Sequence, residues 1–246
     1  MPKPSDVAAE VERSWVSNAK AWTAAVRSGG IASRRLATDD AVTAAVLACR
    51  PARVLDLGCG EGWLARALSA AGVEVVGTDG SAPLIEAARE AGGGTFHVLT
   101  YQDLIADPVR AGFGFDVVVA NFALLARDVA ALLLALRNGA LAPDAALVVQ
   151  TVHPIAAGPP YRDGWRTEDF RGFGDGAHVW RPMPWYFRTL GSWLALLRRT
   201  GYALTELREP LHPETALPLS LLMTAEPSSL RAAAGRRRGS PPGSRR

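Results

Sequence analysis

The chain has 246 residues, 48% of them apolar, which is enough for one sizeable hydrophobic core. Its net charge of +3 comes from residues 227–246, which hold six Arg and no acid, so the other 226 residues carry 21 basic and 24 acidic side chains, a net of −3. This acidic body argues against a nucleic-acid groove, and no apolar run is long enough to cross a membrane, so we expect neither partner.

The first fifty residues predict two helices. Apolar positions recur at helical spacing from Val7 to Val26, with Trp15 and Trp22 on one face. The pair at 29–30, both glycine, ends this helix, and a second helix runs from Asp39 or Asp40 to Cys49. The segment 1–50 is therefore predicted as an N-terminal helical unit.

The run 54–62 joins a short apolar segment that ends in an acid to three glycines spaced two apart. Glycine lacks a Cβ, so such a turn can take positive φ and let a ligand approach the backbone. The helix predicted to follow from Trp63 points its free N–H groups at the same place. The turn predicts a ligand site formed by Asp56, Gly58, Cys59, Gly60 and Gly62.

A second apolar segment, 74–79, also ends in an acid, at a spacing that suits the next strand of a βαβ unit. There Asp79 can accept both ribose hydroxyls of an adenosine ligand, with Gly80 and Ser81 opening the next helix. A dinucleotide-binding fingerprint needs its third glycine at position 63, where this chain has Trp63. The pattern Asp-x-Gly-x-Gly-x-Gly instead resembles the first motif of class I S-adenosylmethionine (SAM)-dependent methyltransferases.

Apolar strands alternate with helices through the middle of the chain, which predicts right-handed crossovers and an open doubly wound sheet. The strands are predicted at 53–57, 74–79, 95–100, 115–120 and 145–151, and the helices at 63–71, 81–91 and 128–138. Ligands of such sheets bind beyond the carboxyl ends of the strands. The acids at 56 and 79 and the polar residues at 121 and 153 all fall at those ends.

The pattern changes after His153. Frequent Pro and Gly predict a loop-rich cap insertion over 154–186, followed by a helix over 186–199 and strands over 203–208 and 219–225. Methyltransferases of the class that the chain resembles close their sheet with a sixth strand and an antiparallel seventh. The predicted fold is therefore α/β: a doubly wound, Rossmann-like, seven-stranded, mostly parallel sheet with an antiparallel last strand, an N-terminal helical lid and an aromatic-rich cap. We place the lid at 1–50, the SAM-binding core at 51–226 and a disordered basic tail at 227–246.

The resemblance implies SAM as the cofactor and gives roles to residues at the strand ends. Asp79 would hold the ribose, and Asn121 and Phe122 would line the methionine end or the methyl channel. Asp56 would either touch the ligand or accept hydrogen bonds from the loop amides, and both interpretations stay open.

The adenine site departs from the family pattern. Methyltransferases of this class often have an acid after the third strand that bonds the adenine amino group, but here Thr100 stands at that place and Asp103 comes later. Tyr101 by stacking, or Gln102 through its backbone amide, would hold the adenine instead.

Methyl transfer needs an acceptor held in line with the methyl group, and an oxygen acceptor must also lose a proton. His153 ends the fifth strand and is predicted as the catalytic residue, either a general base or a donor that orients the substrate. The alternative is a histidine that bonds the loop backbone before Pro154. An amine acceptor would not require the base.

Aromatic residues are dense between 161 and 193, which predicts a pocket for a planar or apolar acceptor. The predicted substrate-binding residues are Trp15, Trp22, Tyr161, Trp165, Trp185 and Tyr186. Arginines among these aromatics would suit a carboxylate or a phenolate. Because the family often places a lid before the first strand, the two N-terminal tryptophans belong either to that lid or to a helix packed on the sheet.

These features predict SAM-dependent methyl transfer to a small molecule, similar to quinone-biosynthesis and secondary-metabolite enzymes, with an oxygen acceptor favoured over nitrogen. The alternatives are a SAM- or adenosine-binding regulator without transferase activity, a nicotinamide-dependent oxidoreductase, and a protein or RNA methyltransferase. Two cysteines, Cys49 and Cys59, and the lack of an apolar leader favour the cytoplasm. No Cys/His ligand spacing occurs, so we expect no metal. A homodimer stays open.

Overall fold

The computed structural model describes residues 4–174 and 178–228, so the predicted tail from residue 229 onward lies outside the described residues. The strands are β1 (Arg53–Leu57), β2 (Glu74–Asp79), β3 (Thr95–Val98), β4 (Phe115–Asn121), β5 (Leu141–Val152), β6 (Gly164–Glu168), β7 (Met183–Phe187), β8 (Tyr202–Arg208) and β9 (Ser220–Pro227). The helices are α1 (Pro4–Arg27), α2 (Asp39–Ala48), α3 (Trp63–Ala70), α4 (Ala82–Ala91), α5 (Tyr101–Ala106), α6 (Ala130–Gly139) and α7 (Leu190–Arg199).

Seven of the strands form one sheet in the order β3-β2-β1-β4-β5-β9-β8. The first five pair in parallel, whereas β9 runs antiparallel between β5 and β8. Since β5 and β8 are both antiparallel to β9, they point the same way, and β8 also ends at the carboxyl edge of the sheet. This topology confirms the predicted doubly wound, seven-stranded sheet with an antiparallel last strand.

Alternation along the strands builds two hydrophobic cores, one on each face of the sheet. On β1, Val54 faces the core that includes residues of α2, α3 and α4, while Leu55 faces the core that includes residues of α5, α6 and α7. On β4, Val117 and Val118 divide in the same way. Because both faces of the central strands are covered, these strands read as continuous apolar runs in the sequence.

The parallel register brings the polar strand ends together. Asp56 on β1 lies opposite Val119 on β4, and Asn121 at the end of β4 lies opposite Gln150 on β5. Since Asp79 ends the neighbouring β2, the strand-end acids and amide meet at one edge of the sheet.

The cap differs from its prediction. The segment predicted to be loop-rich contains a two-stranded antiparallel sheet of β6 and β7. The helix predicted over 186–199 was wrong at its start: Tyr186 and Phe187 belong to β7, and α7 begins after Thr189, whose hydroxyl accepts a hydrogen bond from the amide of Ser192 as an N-cap. The third strand is also shorter than predicted, because Thr100 is the N-cap of α5.

The predicted N-terminal lid divides into two parts. The helix α1 packs against α4 and β7, above the carboxyl edge of the sheet. In contrast, α2 buries Val42 and Val46 in the core below and belongs to the sheet layer. Although α1 has 24 residues, neither it nor another helix within the described ranges is both long and apolar enough to cross a membrane.

The packing around one residue of β2, Gly77, leaves no room for a side chain. A Cβ on Gly77 would lie 2.7 Å from Cδ1 of Phe96 and 2.8 Å from Sγ of Cys59.

We expect Gly77→Ala to lower the free energy of unfolding by about 1–3 kcal/mol, because the crowded side chains must shift. Gly191→Ala is the matched control: its Cβ would enter open space in the first turn of α7, so stability should rise, by up to about 1 kcal/mol. Urea unfolding measures both, and an unchanged midpoint for Gly77→Ala would contradict this packing.

Candidate functional site

The turn between β1 and α3, residues 58–62, is called the glycine loop here. Its glycines take φ of +68°, +56° and +80°, which residues with a Cβ rarely adopt. The amides of Gly58 and Cys59 donate to the carbonyl of Thr78 at 2.7 and 3.0 Å, and the amide of Gly60 donates to Oδ2 of Asp79 at 3.0 Å. The loop is therefore anchored to the end of β2.

Only the middle glycine leaves room for a Cβ. A Cβ on Gly58 would lie 2.6 Å from Cβ of Ala123, in the segment after β4, and one on Gly62 would lie 3.0 Å from the ring of Phe96. A Cβ on Gly60 would meet only Nε1 of Trp22, at 3.6 Å. A ligand can thus approach the bare backbone at Gly60, while the outer glycines make room for protein atoms.

Cys59 does not contribute a ligand-facing group. Its thiol is buried and packs under the loop against Gly77 and Phe96. Its amide donates to Thr78, and its carbonyl accepts from Gly62 at 3.0 Å. The prediction of Cys59 as a cofactor contact is therefore wrong, because its side chain and its polar backbone are occupied within the protein.

Asp79 organises the surrounding backbone. One carboxylate oxygen accepts from the amide of Gly60, and the other accepts from the amide of Ser81 at 2.8 Å. Each oxygen keeps a lone pair for a further donor. Ser81 caps α4, and its hydroxyl is buried without a hydrogen-bond partner among the described residues, while Gly80 is half-buried beside the methyl group of Thr100.

Asp56 lies beneath the loop and is 2% exposed. Its Oδ2 is buried and makes no hydrogen bond to any described residue. Because the loop amides donate to Thr78 and Asp79, the interpretation that Asp56 bonds those amides is wrong. Burial, with a smaller effect from the charge of Asp79, raises the pKa of Asp56 to about 7. Burial also raises the pKa of Asp79, although its two amide hydrogen bonds oppose that shift.

Asn121 and Phe122 stand where β4 ends. Gln150 donates from Nε2 to Oδ1 of Asn121 at 2.7 Å and to the carbonyl of Thr38 at 2.9 Å, and accepts from the hydroxyl of Ser220 at 3.1 Å. This chain of bonds leaves Nδ2 of Asn121 free to donate. Phe122 has φ of +52°, and its amide donates to the carbonyl of Gln150 at 2.7 Å.

The segment after β3 is held by a capping box. Thr100 and Asp103 bond each other's backbone amides, so Asp103 is occupied as the cap of α5. Tyr101 is partly buried, and its hydroxyl donates to the carbonyl of Ala123 at 3.0 Å. Burial and the nearby carboxylates raise its pKa. Gln102 is exposed on the first turn of the helix.

His153 is buried, and both of its ring nitrogens are occupied. Nδ1 accepts from the amide of Ile155 at 3.1 Å, so the ring proton must lie on Nε2, which is 2.7 Å from Oε1 of Glu209. No lone pair remains for the proton of an acceptor. This geometry contradicts the interpretation of His153 as a general base, and it matches the alternative of a histidine that bonds the loop backbone.

The helix α1 covers the glycine loop with aromatic rings. Trp22 lies over Gly60, and Trp15 packs edge-on against Trp22 with ring centroids 5.1 Å apart. Phe170 of the cap continues the cluster, 5.9 Å from the ring of Trp15, and stacks on Trp180 at 5.0 Å. The two N-terminal tryptophans therefore pack between the glycine loop and the cap, and their role in a lid over a cofactor stays a prediction.

Polar contacts fasten this lid at two places. Within α1, the side chain of Asn18 donates to the carbonyl of Arg181 at 2.8 Å and accepts from its amide at 2.9 Å. At the inner end, Arg27 bonds the buried carboxylate of Glu61 at 2.9 Å, and Arg66 bonds the same group. The lid is thus tied both to the cap and to the glycine loop.

The predicted substrate residues of the cap do not form a single cluster. Trp165 and Tyr186 face each other across β6 and β7, with ring centroids 5.3 Å apart, and Trp165 is exposed. Trp185 packs on Phe187 instead, on the side where Tyr161 also lies. Tyr161 accepts from the amide of Leu190 through its hydroxyl, at the start of α7.

Three arginines in or next to the cap are occupied by the protein itself. Arg166 donates to three carbonyls of the segment 157–160, and Arg188 donates to three carbonyls of the segment 124–127. Arg181 pairs with Glu10 of α1 at 2.9 Å. The expectation that such residues would bind an anionic substrate fails for these three side chains.

Glu209 is the residue at this edge that sequence reasoning missed. It directly follows β8, and its side chain is 53% exposed, with one oxygen held by His153. Its second oxygen has no bond among the described residues. The same pattern that identified the acids at 56 and 79, a carboxylate at the end of a strand, would have found it.

A profile described as a methyltransferase domain matches residues 32–207 of the chain. Curated proteins gave no match. A solved S-adenosylmethionine-dependent methyltransferase from Mesorhizobium loti is 26% identical, with a TM-score of 0.56 over 74% of this chain and 96% of that one.

Two further solved structures share the fold. The 1,6-didemethyltoxoflavin-N1-methyltransferase of Burkholderia thailandensis, with bound 1,6-didemethyltoxoflavin and S-adenosylhomocysteine, is 20% identical at a TM-score of 0.66, over 93% of this chain and 92% of that one. The magnesium protoporphyrin IX methyltransferase of Synechocystis, with bound SAM, is 18% identical at a TM-score of 0.51, over 77% of each chain.

The raised pKa of Asp56 predicts how stability depends on pH. Folding favours the protonated carboxyl of Asp56. Its contribution to the free energy of unfolding is therefore complete below the unfolded pKa of about 4 and is lost as the pH rises through about 7. We expect Asp56→Asn to remove this loss, which is at most about 4 kcal/mol. Urea unfolding of the ligand-free protein between about pH 5 and pH 8 measures it. Asp144→Asn, at an exposed position, is the control, and an Asp56→Asn variant with the wild-type slope would contradict the burial of this charge.

Proposed function

Since the chain belongs to the methyltransferase family and uses S-adenosylmethionine as its cofactor, we propose that it transfers the cofactor's methyl group to a small-molecule acceptor. The cofactor supplies a methyl group on a positively charged sulfur. The protein has to hold it, orient the acceptor and exclude water. The single observation that carries the proposed site is the pair of strand-end carboxylates at the glycine loop: Asp79 accepts from the amide of Gly60, and Oδ2 of Asp56 is buried without a hydrogen bond to any described residue.

The unpartnered polar atoms of the site suit this cofactor. Buried oxygens without hydrogen bonds are rare, and Asp56 Oδ2 and Ser81 Oγ are two of them. We assign Asp56 to the cofactor's ammonium group. Its positive charge would pair with the buried carboxylate. Asp79 is assigned to the ribose hydroxyls, because each of its oxygens accepts only one amide. The two acids would thus bind different ends of the cofactor, Asp56 the amino-acid end and Asp79 the ribose.

Other residues complete the proposed contacts. Nδ2 of Asn121 is assigned to the methionine end, since Gln150 orients the amide by occupying Oδ1. Tyr101 and the amide of Gln102 flank the adenine, and the hydroxyl of Tyr101 fixes the ring by its bond to Ala123. The remaining assigned positions are Gly58, Gly80, Phe122 and the backbone of Gly62.

The contact between lid and cap supports a small acceptor. The partly buried hydrogen bonds between Asn18 and Arg181 join α1 to the cap. A bridge of this kind favours an enclosed site from which water is excluded, and such a site suits a small acceptor better than a polymer. The aromatic surfaces of Trp15, Trp22 and Tyr186 favour a planar or apolar acceptor.

We favour an oxygen acceptor, a hydroxyl or a carboxylate, with nitrogen as the alternative. A hydroxyl must lose its proton, and Glu209 is the available carboxylate at the carboxyl edge of the sheet. His153 holds one oxygen of Glu209, so the second oxygen is oriented and accessible. His153 therefore has a positioning role in this proposal, and Glu209 takes the proton.

The cellular setting is also proposed. Both cysteines are free, which suits a reducing cytoplasm. The excess of acidic side chains before residue 227 supports the lack of a nucleic-acid partner. A homodimer and the division into lid, core and tail stay predictions.

The cofactor assignment is tested by binding. We expect the purified protein to bind S-adenosylhomocysteine in calorimetry, and Asp79→Asn to weaken binding about 100-fold, equivalent to about 3 kcal/mol, because the ribose and the amides of Gly60 and Ser81 lose a charged acceptor. Asp40→Asn, on the exposed face of α2, should bind as the wild type does. Transfer of a labelled methyl group from S-adenosylmethionine to members of a panel of small phenols, carboxylic acids and amines then identifies the acceptor. Absence of binding by the wild type would overturn the proposal.

The role of Glu209 is tested by turnover. With an acceptor from the panel, Glu209→Gln should lower kcat by about 10²–10³-fold, while the affinity for S-adenosylhomocysteine stays unchanged. Glu206→Gln is the matched control, since Glu206 is exposed on β8 and pairs only with Arg208. Full turnover by Glu209→Gln would show that no carboxylate base acts here.

A further inference from the structure

The segment that follows β4, residues 122–127, is called the β4 loop here. All five of its carbonyls from 123 to 127 accept hydrogen bonds. Tyr101 donates to the first carbonyl at 3.0 Å, and the amide of Tyr186 on β7 donates to the third at 2.8 Å. The guanidinium of Arg188 takes the other three, at 3.4, 2.5 and 2.7 Å. The cap therefore holds this loop through its own strand.

Arg188 is a buried cation whose hydrogen-bond partners are carbonyls of the β4 loop. It is 4% exposed, and no carboxylate of the described residues lies within ion-pair distance of it. Its guanidinium stacks between the rings of Tyr186 and Trp193, with centroids at 5.1 and 5.0 Å. Burying a cation is costly unless its donors are all placed. A planar fork can bridge several carbonyls at once, which a lysine ammonium cannot do.

The β4 loop in turn lies against the glycine loop. Cβ of Ala123 occupies the space next to Gly58, so close that a Cβ there would be 2.6 Å away. The hydroxyl of Tyr101 is bonded to the carbonyl of the same Ala123. A shift of this loop therefore moves the contacts of Gly58 and Tyr101 together, and it moves Asn121, which immediately precedes the loop.

We propose that Arg188 is a positioning residue for cofactor binding: from its place directly after β7 of the cap, it fixes the β4 loop against the glycine loop, so that cofactor affinity depends on the cap as well as on the sheet. The proposal rests on the proposed cofactor site. It assigns the cap a second role besides enclosing the acceptor.

The test compares two conservative variants. Arg188→Lys keeps the charge and loses the fork. Arg137→Lys is the matched control, because Arg137 also donates to a carbonyl, that of Thr200, and lies over the ring of Tyr202, but far from the site. We expect Arg188→Lys to raise the Kd for S-adenosylhomocysteine at least about tenfold, and Arg137→Lys to leave it within about twofold at a similar loss of Tm. Equal Kd values for Arg188→Lys and the wild type would overturn the proposal.

A second readout does not depend on the ligand. Hydrogen–deuterium exchange of residues 122–127 should be faster in ligand-free Arg188→Lys than in the wild type, and unchanged in Arg137→Lys. Unchanged exchange in Arg188→Lys would overturn the proposal that Arg188 fixes the β4 loop, whether or not the wild type binds S-adenosylhomocysteine. Failure of the wild type to bind would instead count against the proposed function. If Arg188→Lys does not fold, the wild type still decides: S-adenosylhomocysteine should protect residues 122–127 and 183–189 together, and protection of the first alone would contradict the proposal.

Discussion

The carboxylate of Asp79 is the constraint on which the site depends. It bonds the amides of Gly60 and Ser81, and so it fixes the glycine loop relative to the helix α4 that follows β2. The register of β1 and β2 pairs Asp56 with Gly77, two residues before Asp79, and Oδ2 of Asp56 is buried without a hydrogen bond to any described residue. Burial raises the pKa of Asp56 to about 7, and the charge of Asp79 adds a smaller shift in the same direction. A ligand that brings one positive charge and several hydroxyl donors relieves both the repulsion and the unmet hydrogen-bonding capacity.

Closure over this site is built from a few fixed contacts. The lid α1 is tied inward by Arg27 to Glu61, and outward by Asn18 to the backbone of Arg181. The cap is tied to the sheet by Arg188. Because these polar contacts are buried or partly buried, breaking any one of them leaves groups unsatisfied. Lid, cap and glycine loop are therefore mechanically connected, and acceptor enclosure and cofactor binding are expected to depend on one another.

The sequence predicted the sheet well, because its strands follow from local signals, whereas the residues of the cofactor site stay predictions. The strands at 53–57 and 74–79 matched to the residue, since apolar runs that end in an acid mark buried parallel strands. The functions of individual side chains depended on long-range contacts. Cys59 turned inward because Gly77 leaves room for its thiol, and His153 is occupied by Glu209, which lies 56 residues later in the chain. The sheet of β6 and β7 was missed because Pro and Gly interrupt its period. No local pattern could reveal that Arg188 bonds the β4 loop.

Proton release on binding tests most directly whether Asp56 faces the cofactor's ammonium group. Calorimetry with S-adenosylhomocysteine in buffers of different ionisation enthalpy counts the protons exchanged. At about pH 6 the carboxyl of Asp56 is protonated in the free protein, and pairing with the ammonium should expel about one proton, falling toward zero at about pH 8. Asp56→Asn should release none. Binding heats that do not depend on the buffer, in the wild type at about pH 6, would contradict the account.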